Sequence, residues 1–317
     1  RPSLPDDARA NISLAAVYWW ASWHGWYLEL GVGFQLGITR AETFLERGMR
    51  TPSPLAHRLA SEILIWKGEF ENAIAAANRA IALDPNNPDG HDAMATALGF
   101  AGRPSEALDH LAQAARLDPE NAAKYLKARG RTEFLLGKYE TAAETLKRAV
   151  VYDPEFEWIY RWLIAAYGYL DRLAEAKAAI ARLHQIRERL SRGKLTLLEA
   201  DAISLKRKED RERLREGWRR AGVEPGDDGD AGRIAWEWLI RRLPDGRGFD
   251  VKGATKIDAD KAKVLYDQGV IFVDVRGSSW NAGHVKGALH YNPLKKASLA
   301  ETIAKNESVT FYCGGFT

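Results

Sequence analysis

One pattern, recurring at a near-constant spacing, constrains this chain more than any other feature. Gly68-Glu-Phe70-Glu-Asn-Ala73 runs on to Ala80 and then to Leu83-Asp-Pro85. Gly102-Arg-Pro104-Ser-Glu-Ala107 runs on to Ala114 and Leu117-Asp-Pro119, and Gly137-Lys-Tyr139-Glu-Thr-Ala142 to Ala149 and Tyr152-Asp-Pro154. A fourth copy opens at Asp171-Arg-Leu173-Ala-Glu-Ala176, and the steps between the first positions are 34, 35 and 34 residues. Each unit has room for two helices. The Gly-x-aromatic turn joins helix A to helix B, and Asp-Pro ends helix B because proline cannot continue it. Small residues such as Ala73 and Ala80 stand where the two helices approach most closely. One unit alone cannot bury its apolar face, so the units must stack into a right-handed solenoid.

Over roughly residues 54–190 the pattern closely resembles the tetratricopeptide repeat. The reading divides residues 1–222 into repeats near 10–52, 54–87, 88–121, 123–155 and 156–190, followed by capping helices. In the first of these, Ala41-Glu-Thr-Phe44 up to Gly48 reads as helix B and the tryptophan-rich segment around Tyr18–Tyr27 as helix A. Asn11 to Gly37 carries one formal charge, Glu29, but its glycines, His24 and mid-segment indoles argue for a buried helix over a membrane span. The charge run Lys206–Arg213 is expected to form the solvated face of a capping helix.

The functional side of such a solenoid is the wall made by the A helices, where a protein or peptide partner would bind. Projection places Arg58, Lys124, Lys127, Arg131 and Arg161 on it, against Glu62, Asp89 and Asp92. This suggests a basic surface at the third and fourth repeats, suited to an acidic peptide or a C-terminal carboxylate. The asparagines of the chaperone-type carboxylate clamp are missing from the matching positions, so that function does not carry over.

With 317 residues the chain is expected to exceed one core, since single cores stop growing near about 250–300 residues. Residues 221–232, rich in Gly, Pro and Asp, read as a linker centred on 223–232. Beyond a short helix at 233–242 the pattern changes period. Val251–Ile257 and Val270–Val275 read as strands around a helix at Asp258–Gln268, which implies a parallel sheet covered on both faces. The only cysteine, Cys313, follows the β-branched and aromatic run Val309–Tyr312 and precedes a glycine pair. Such a cysteine is ordinarily a small buried hydrophobe. In this setting amide N–H groups could also turn toward the sulfur and lower its pKa.

Val273-Asp274-Val275-Arg276, then Trp280 and Gly283-His284-Val285-Lys286-Gly287-Ala288, resemble the rhodanese-domain pattern, and Cys313, 37 residues after Arg276, stands where that family keeps its catalytic cysteine. The resemblance spans about residues 250–317, and Lys286 replaces a proline common at its position. The fold class expected is therefore multidomain: an all-α repeat solenoid followed, over 233–317, by an α/β rhodanese-like domain incomplete at its C-terminus. The resemblance implies sulfurtransferase chemistry through a persulfide on Cys313, with Gly314, Gly315, Phe316 and Thr317 forming the loop that holds thiolate and anionic donor. It implies a small sulfur donor such as thiosulfate, and no cofactor or metal. Asp274 and Arg276 would support the loop, as a structural ion pair or in the chemistry itself. In the family a six-residue loop suits sulfur and a seven-residue loop phosphate; the chain stops before that length is defined.

The alternative is a non-catalytic repeat scaffold with a rhodanese-like docking or sensing domain. Leu214–Gly222 also resembles repeat regions that follow the catalytic domain in some bacterial adenylate cyclases, which would make the chain a regulatory part of a larger signalling protein. The net charge of +3, from 46 basic and 43 acidic residues, gives no reason to expect nucleic acid. One cysteine excludes an intrachain disulfide. The chain starts with Arg1 and no signal peptide is expected, so the N-terminus reads as trimmed or internal and the location as cytoplasmic.

Overall fold

The computed structural model describes residues 7–24, 34–190, 192–226, 271–274, 289–290 and 309–312. The chain divides into two compact units, Arg1–Glu224 and Pro225–Thr317.

In the first unit helices pair in chain order: α1 (Ala8–His24) with α2 (Phe34–Gly48), α3 (Pro54–Lys67) with α4 (Phe70–Leu83), and α5 (Pro88–Phe100) with α6 (Pro104–Leu117). Then come α7 (Leu126–Leu135) with α8 (Tyr139–Tyr152) and α9 (Glu157–Tyr169) with α10 (Leu173–Arg189). Proline opens α3, α5 and α6 at the first turn, where its missing N–H costs nothing. The repeat at 123–155 has no proline there and enters α7 through a 3-10 turn, Ala122–Tyr125.

The four described A–B turns close with the same hydrogen bond, from the residue after the turn to a carbonyl five back: Glu69 to Leu64 (2.9 Å), Arg103 to Leu98 (2.8 Å), Lys138 to Glu133 (2.9 Å) and Arg172 to Tyr167 (3.0 Å). That closure needs a left-handed residue, at φ 82°, 81° and 76° for Gly68, Gly102 and Gly137. In the fourth copy Asp171 takes the position at φ 53°, a conformation aspartate tolerates better than most side chains. The alanines that open helix B (Ala73, Ala107, Ala142, Ala176) are all fully buried. Successive A helices touch one another, α3 with α5, α5 with α7 and α7 with α9, while each B helix leans on the next A helix. The A helices therefore line the inner wall.

Residues 195–224 do more than cap the stack. The segment runs past the carboxyl ends of three A helices and supplies donors to carbonyls left open there: Ser204 Oγ to Trp66 O (2.9 Å), Lys206 N to Phe100 O (2.9 Å) and Arg213 Nη1 to Leu135 O (2.8 Å). It ends in α12 (Lys208–Arg220), which packs on α9 and sends Trp218 Nε1 to the Arg161 carbonyl at 2.7 Å. A short α11 (Glu199–Ala202) precedes it. The expected solvated face at Lys206–Arg213 is exposed at Lys206, Lys208, Glu209 and Glu212 but not at Asp210, which is fully buried in the first turn of α12, where an acidic side chain suits the helix amino end and where Arg207 and Arg213 hold it.

In the second unit three short strands lie parallel in the order β2-β1-β3: β1 (Ile271–Asp274), β2 (Leu289–His290) and β3 (Val309–Tyr312). Asp274 pairs with Tyr312 at one end of the β1–β3 ladder and Ile271 with Val309 at the other. The elements expected at 233–242, Val251–Ile257 and Asp258–Gln268 lie outside the described residues. No described helix is long and apolar enough to cross a membrane.

Candidate functional site

The five cations projected onto the A-helix wall come from three helix pairs, and the fold gives them different environments. Arg58 on α3 reaches Glu62 one turn on (3.0 Å) and Asp89 at the start of α5, with its guanidinium over the Trp20 ring. Lys124 meets the other oxygen of Asp89. One aspartate thus joins the second, third and fourth helix pairs. Arg131 on α7 donates to Thr96 Oγ1 at 3.2 Å and lies on the Phe100 ring. Burial brings the Arg131 guanidinium down to about 10, against the pull of Asp92. Burial likewise pushes the Asp92 carboxyl up, although Arg58, Lys127 and Arg131 draw it the other way. Lys127 is half-buried, its ammonium 4.9 Å from the centre of the Phe156 ring.

Arg161 is buried in an ionic cluster. Its Nη2 lies 2.9 Å from both Glu157 Oε1 and Glu199 Oε2, and Arg187 holds the two Glu199 oxygens at 3.0 and 2.9 Å. Arg192 closes the group at 3.1 Å from Glu157 Oε2. Burial alone would push Glu157 up, but Arg161, Arg192 and Arg187 outweigh it and hold its carboxyl down to about 2. The wall is therefore not simply basic: carboxylates answer most of the cations on it.

Sequence projection left out the aromatic side chains at the end of α1. Trp19 Nε1 donates to Glu62 Oε2 at 2.6 Å and Trp20 Nε1 to the same oxygen at 3.4 Å. Trp23 packs edge-on against Trp158 (5.6 Å between ring centres), and His24 stacks on Phe156 (4.8 Å) with Nε2 3.5 Å from Asp153 Oδ2. The density of indoles in Tyr18–Tyr27 was the available signal. Such density reads as core, and its direction across the wall has no counterpart in a one-dimensional pattern.

In the second unit Asp274 closes β1. Arg276, Cys313, Gly314, Gly315, Phe316 and Thr317 lie outside the described residues. Among the described residues, no group of three His, Cys, Asp or Glu side chains could hold a metal ion.

The repeating turn, the buried small residues and the stacked A helices have a counterpart among known families. The profile of the tetratricopeptide repeat matches residues 33–88 and 93–157. Over these residues the helical unit carries tetratricopeptide repeats. A small glutamine-rich tetratricopeptide repeat-containing protein of Mycosarcoma maydis is 30% identical over 110 residues, 35% of this chain and 31% of that protein. A TPR repeat-containing thioredoxin of Arabidopsis thaliana is 36% identical over 90 residues, 27% of this chain and 13% of that one. The chain thus spans less than a third of either relative. Among solved structures, a thermophilic TPR protein of Thermus thermophilus shares 24% identity at a TM-score of 0.43, over 53% of this chain and 93% of its own. Pseudomonas aeruginosa pilF shares 18% at a TM-score of 0.39, over 68% and 97%. The repeat unit differs from the bare pattern in the terminal additions that tie its A helices together.

Proposed function

We propose that the chain is a protein-interaction scaffold whose partner surface is the A-helix wall of the tetratricopeptide repeats. The observation that carries this reading is the composition of that wall. Helices α3, α5, α7 and α9 bring Arg58, Glu62, Asp92, Lys127, Arg131, Phe156 and Trp158 onto one side of a continuous stack. Charge that is half-buried, or at Asp92 buried, beside half-buried aromatic rings suits a peptide, and repeat walls are the interacting surfaces of solenoids generally. The role as a regulatory part of a larger signalling protein is compatible with this scaffold. The test is selection of peptides from a displayed library on the purified full chain. Enriched peptides should lose binding to Trp158→Ala and keep it for Val151→Ala, which changes an exposed position on the B-helix side. Failure to enrich any peptide sensitive to Trp158 would refute the assignment.

A second reading, sulfur transfer, is favoured by one observation. Asp274 and Tyr312 are register partners on adjacent parallel strands, and Cys313 follows Tyr312 directly. The residues after parallel strands at their carboxyl edge are where open α/β sheets carry their sites. On this reading the Cys313 thiolate attacks the outer sulfur of thiosulfate, the S–S bond breaks, and sulfite leaves with the electron pair. Cyanide or a protein thiolate then takes the sulfur from the persulfide and frees the thiolate. The helical repeats would recruit the donor or acceptor protein. Full chain given thiosulfate and cyanide should release thiocyanate, and Cys313→Ser should not; no turnover from the unmodified chain would sink this reading.

A further inference from the structure

The end of α1 does something that stacking alone does not explain. As an A helix stacked on the next pair, α1 should touch its own partner α2 and the next A helix, α3. Trp19 does this, meeting Trp66 edge-on at 6.5 Å and Glu62 through its indole N–H. One turn later the same helix contacts α9 and the residues just before it, about 90 positions beyond α3. Trp23 lies against Trp158, and His24 is sandwiched by contacts to Phe156 and Asp153. Trp19 and Trp23 are four residues apart, on one face, with ring centres 5.5 Å apart in an edge-on arrangement. That face spans the wall from α3 to α9, reaching the Phe156 ring on which Lys127 also rests.

We propose that the A-helix wall is a receptor for a tryptophan-faced helix, and that the last turns of α1 occupy it as an internal stand-in for the partner. This rests on the interaction reading above and gives it a partner chemistry. The wall supplies a carboxylate, Glu62, that takes indole N–H donors, and two rings, Trp158 and Phe156, that take an aromatic or imidazole edge. It also supplies Asp153, which takes a cationic or N–H donor tip. A helix with aromatic side chains four apart and a basic or imidazole group beside the second satisfies all three. An acidic peptide would meet four carboxylates, Glu62, Asp89, Asp92 and Asp153, beside four cations, Arg58, Lys124, Lys127 and Arg131, and so finds no net opposite charge. Within Ala8–His24 the sequence carries no acidic residue. A partner must therefore displace the end of α1, and its apparent affinity is reduced by the fraction of molecules in which that end is docked.

The probe is a synthetic peptide of residues Ala8–His24 with an amino-terminal fluorophore, titrated by anisotropy against full chain. Unmodified protein should bind it weakly. Trp23→Ala with His24→Ala in the full chain empties the α9 side, and should bind the peptide at least about tenfold more tightly. A peptide carrying the same two alanines should lose that gain, and so should the full-chain variant with Trp158→Ala added. Circular dichroism confirms that each variant keeps its helix content; any that does not is replaced by Trp23→Phe with His24→Gln. Equal binding to both proteins, or no binding to the variant, overturns the proposal. If the α1 peptide fails while library-selected peptides still depend on Trp158, the interaction reading stands and self-occupancy falls; if both fail, both fall.

Discussion

The buried cluster of Arg161, Arg187, Arg192, Glu157 and Glu199 offers a quantitative test of how the repeats are locked to the segment that follows them. Glu199 belongs to α11, outside the repeats, yet accepts both Arg187 N–H bonds from α10 and one contact from Arg161 on α9. Its side chain is 5% exposed, and that of Arg187 is 2%. Three arginines face two glutamates, so Glu199→Ala raises the cluster's formal charge from +1 to +2 and leaves Arg187 without a carboxylate. Removing one partner of a buried pair costs about 3–5 kcal/mol, chiefly because the surviving charge stays out of water. The lost charge-assisted bonds are already within that figure and are not added again. Replacing both members, Arg187→Met with Glu199→Leu, removes the stranded charge and should return to within about 1 kcal/mol of the unmodified chain. Urea unfolding read by circular dichroism and tryptophan fluorescence gives both values; the two transitions must coincide for each to define one free energy. Trp218, bonded to the Arg161 carbonyl, is a local reporter. A Glu199→Ala cost under about 1 kcal/mol, or a double variant less stable than the single, would refute the argument that desolvated charge governs this junction.

Two glycines should lose stability to a methyl group by different amounts and for different reasons. At Gly168 an added Cβ would sit 2.0 Å from the Gly217 carbonyl oxygen and 3.0 Å from Ala221 N, backbone that cannot step aside, so Gly168→Ala should cost about 3 kcal/mol and loosen α12 from α9. Gly68 has open space around it but a left-handed φ of 82°, so Gly68→Ala should cost only about 1 kcal/mol, and reversal of that order in thermal melts would contradict both assignments. Glu157, held down to about 2, contributes stability that is present above its ordinary 4.5 and is lost as pH falls toward 2; Glu157→Gln should flatten that acid limb of the melting temperature. His110 is lowered by burial and by His91, whose Nδ1 lies 3.1 Å from its own, so acidification below 6.5 should weaken the α5–α6 pair, and His110→Gln should remove that part of the slope.

What could be read from the sequence was whatever the chain specifies locally and then repeats. A turn that demands a left-handed residue selects glycine, and an Asp-Pro pair stops a helix. Recurrence at about 34 residues places both without reference to distant parts of the chain. Even the replacement of glycine by Asp171 was legible, because the copy kept its phase. The strand Val309–Tyr312 was legible for a similar reason, from its own β-branched and aromatic residues. Helical projection, which depends only on spacing, named the candidate wall cations.

Their states were not legible. Whether a guanidinium on a wall is free, stacked or buried depends on which carboxylate arrives from elsewhere. Glu199 reaches Arg161 from 38 residues away, and Trp23 reaches Trp158 across 135. The open carbonyls of Trp66, Phe100 and Leu135 likewise do not encode which donors will meet them. Sequence alone determined that this chain would stack helix pairs by a fixed unit, because backbone conformation and short-range packing set that outcome. Only the tertiary structure decided that the A-helix wall is crossed by the end of α1 and bound at its edge by residues 203–213. Those contacts join segments whose meeting depends on the accumulated curvature of the whole stack, a quantity no single repeat contains.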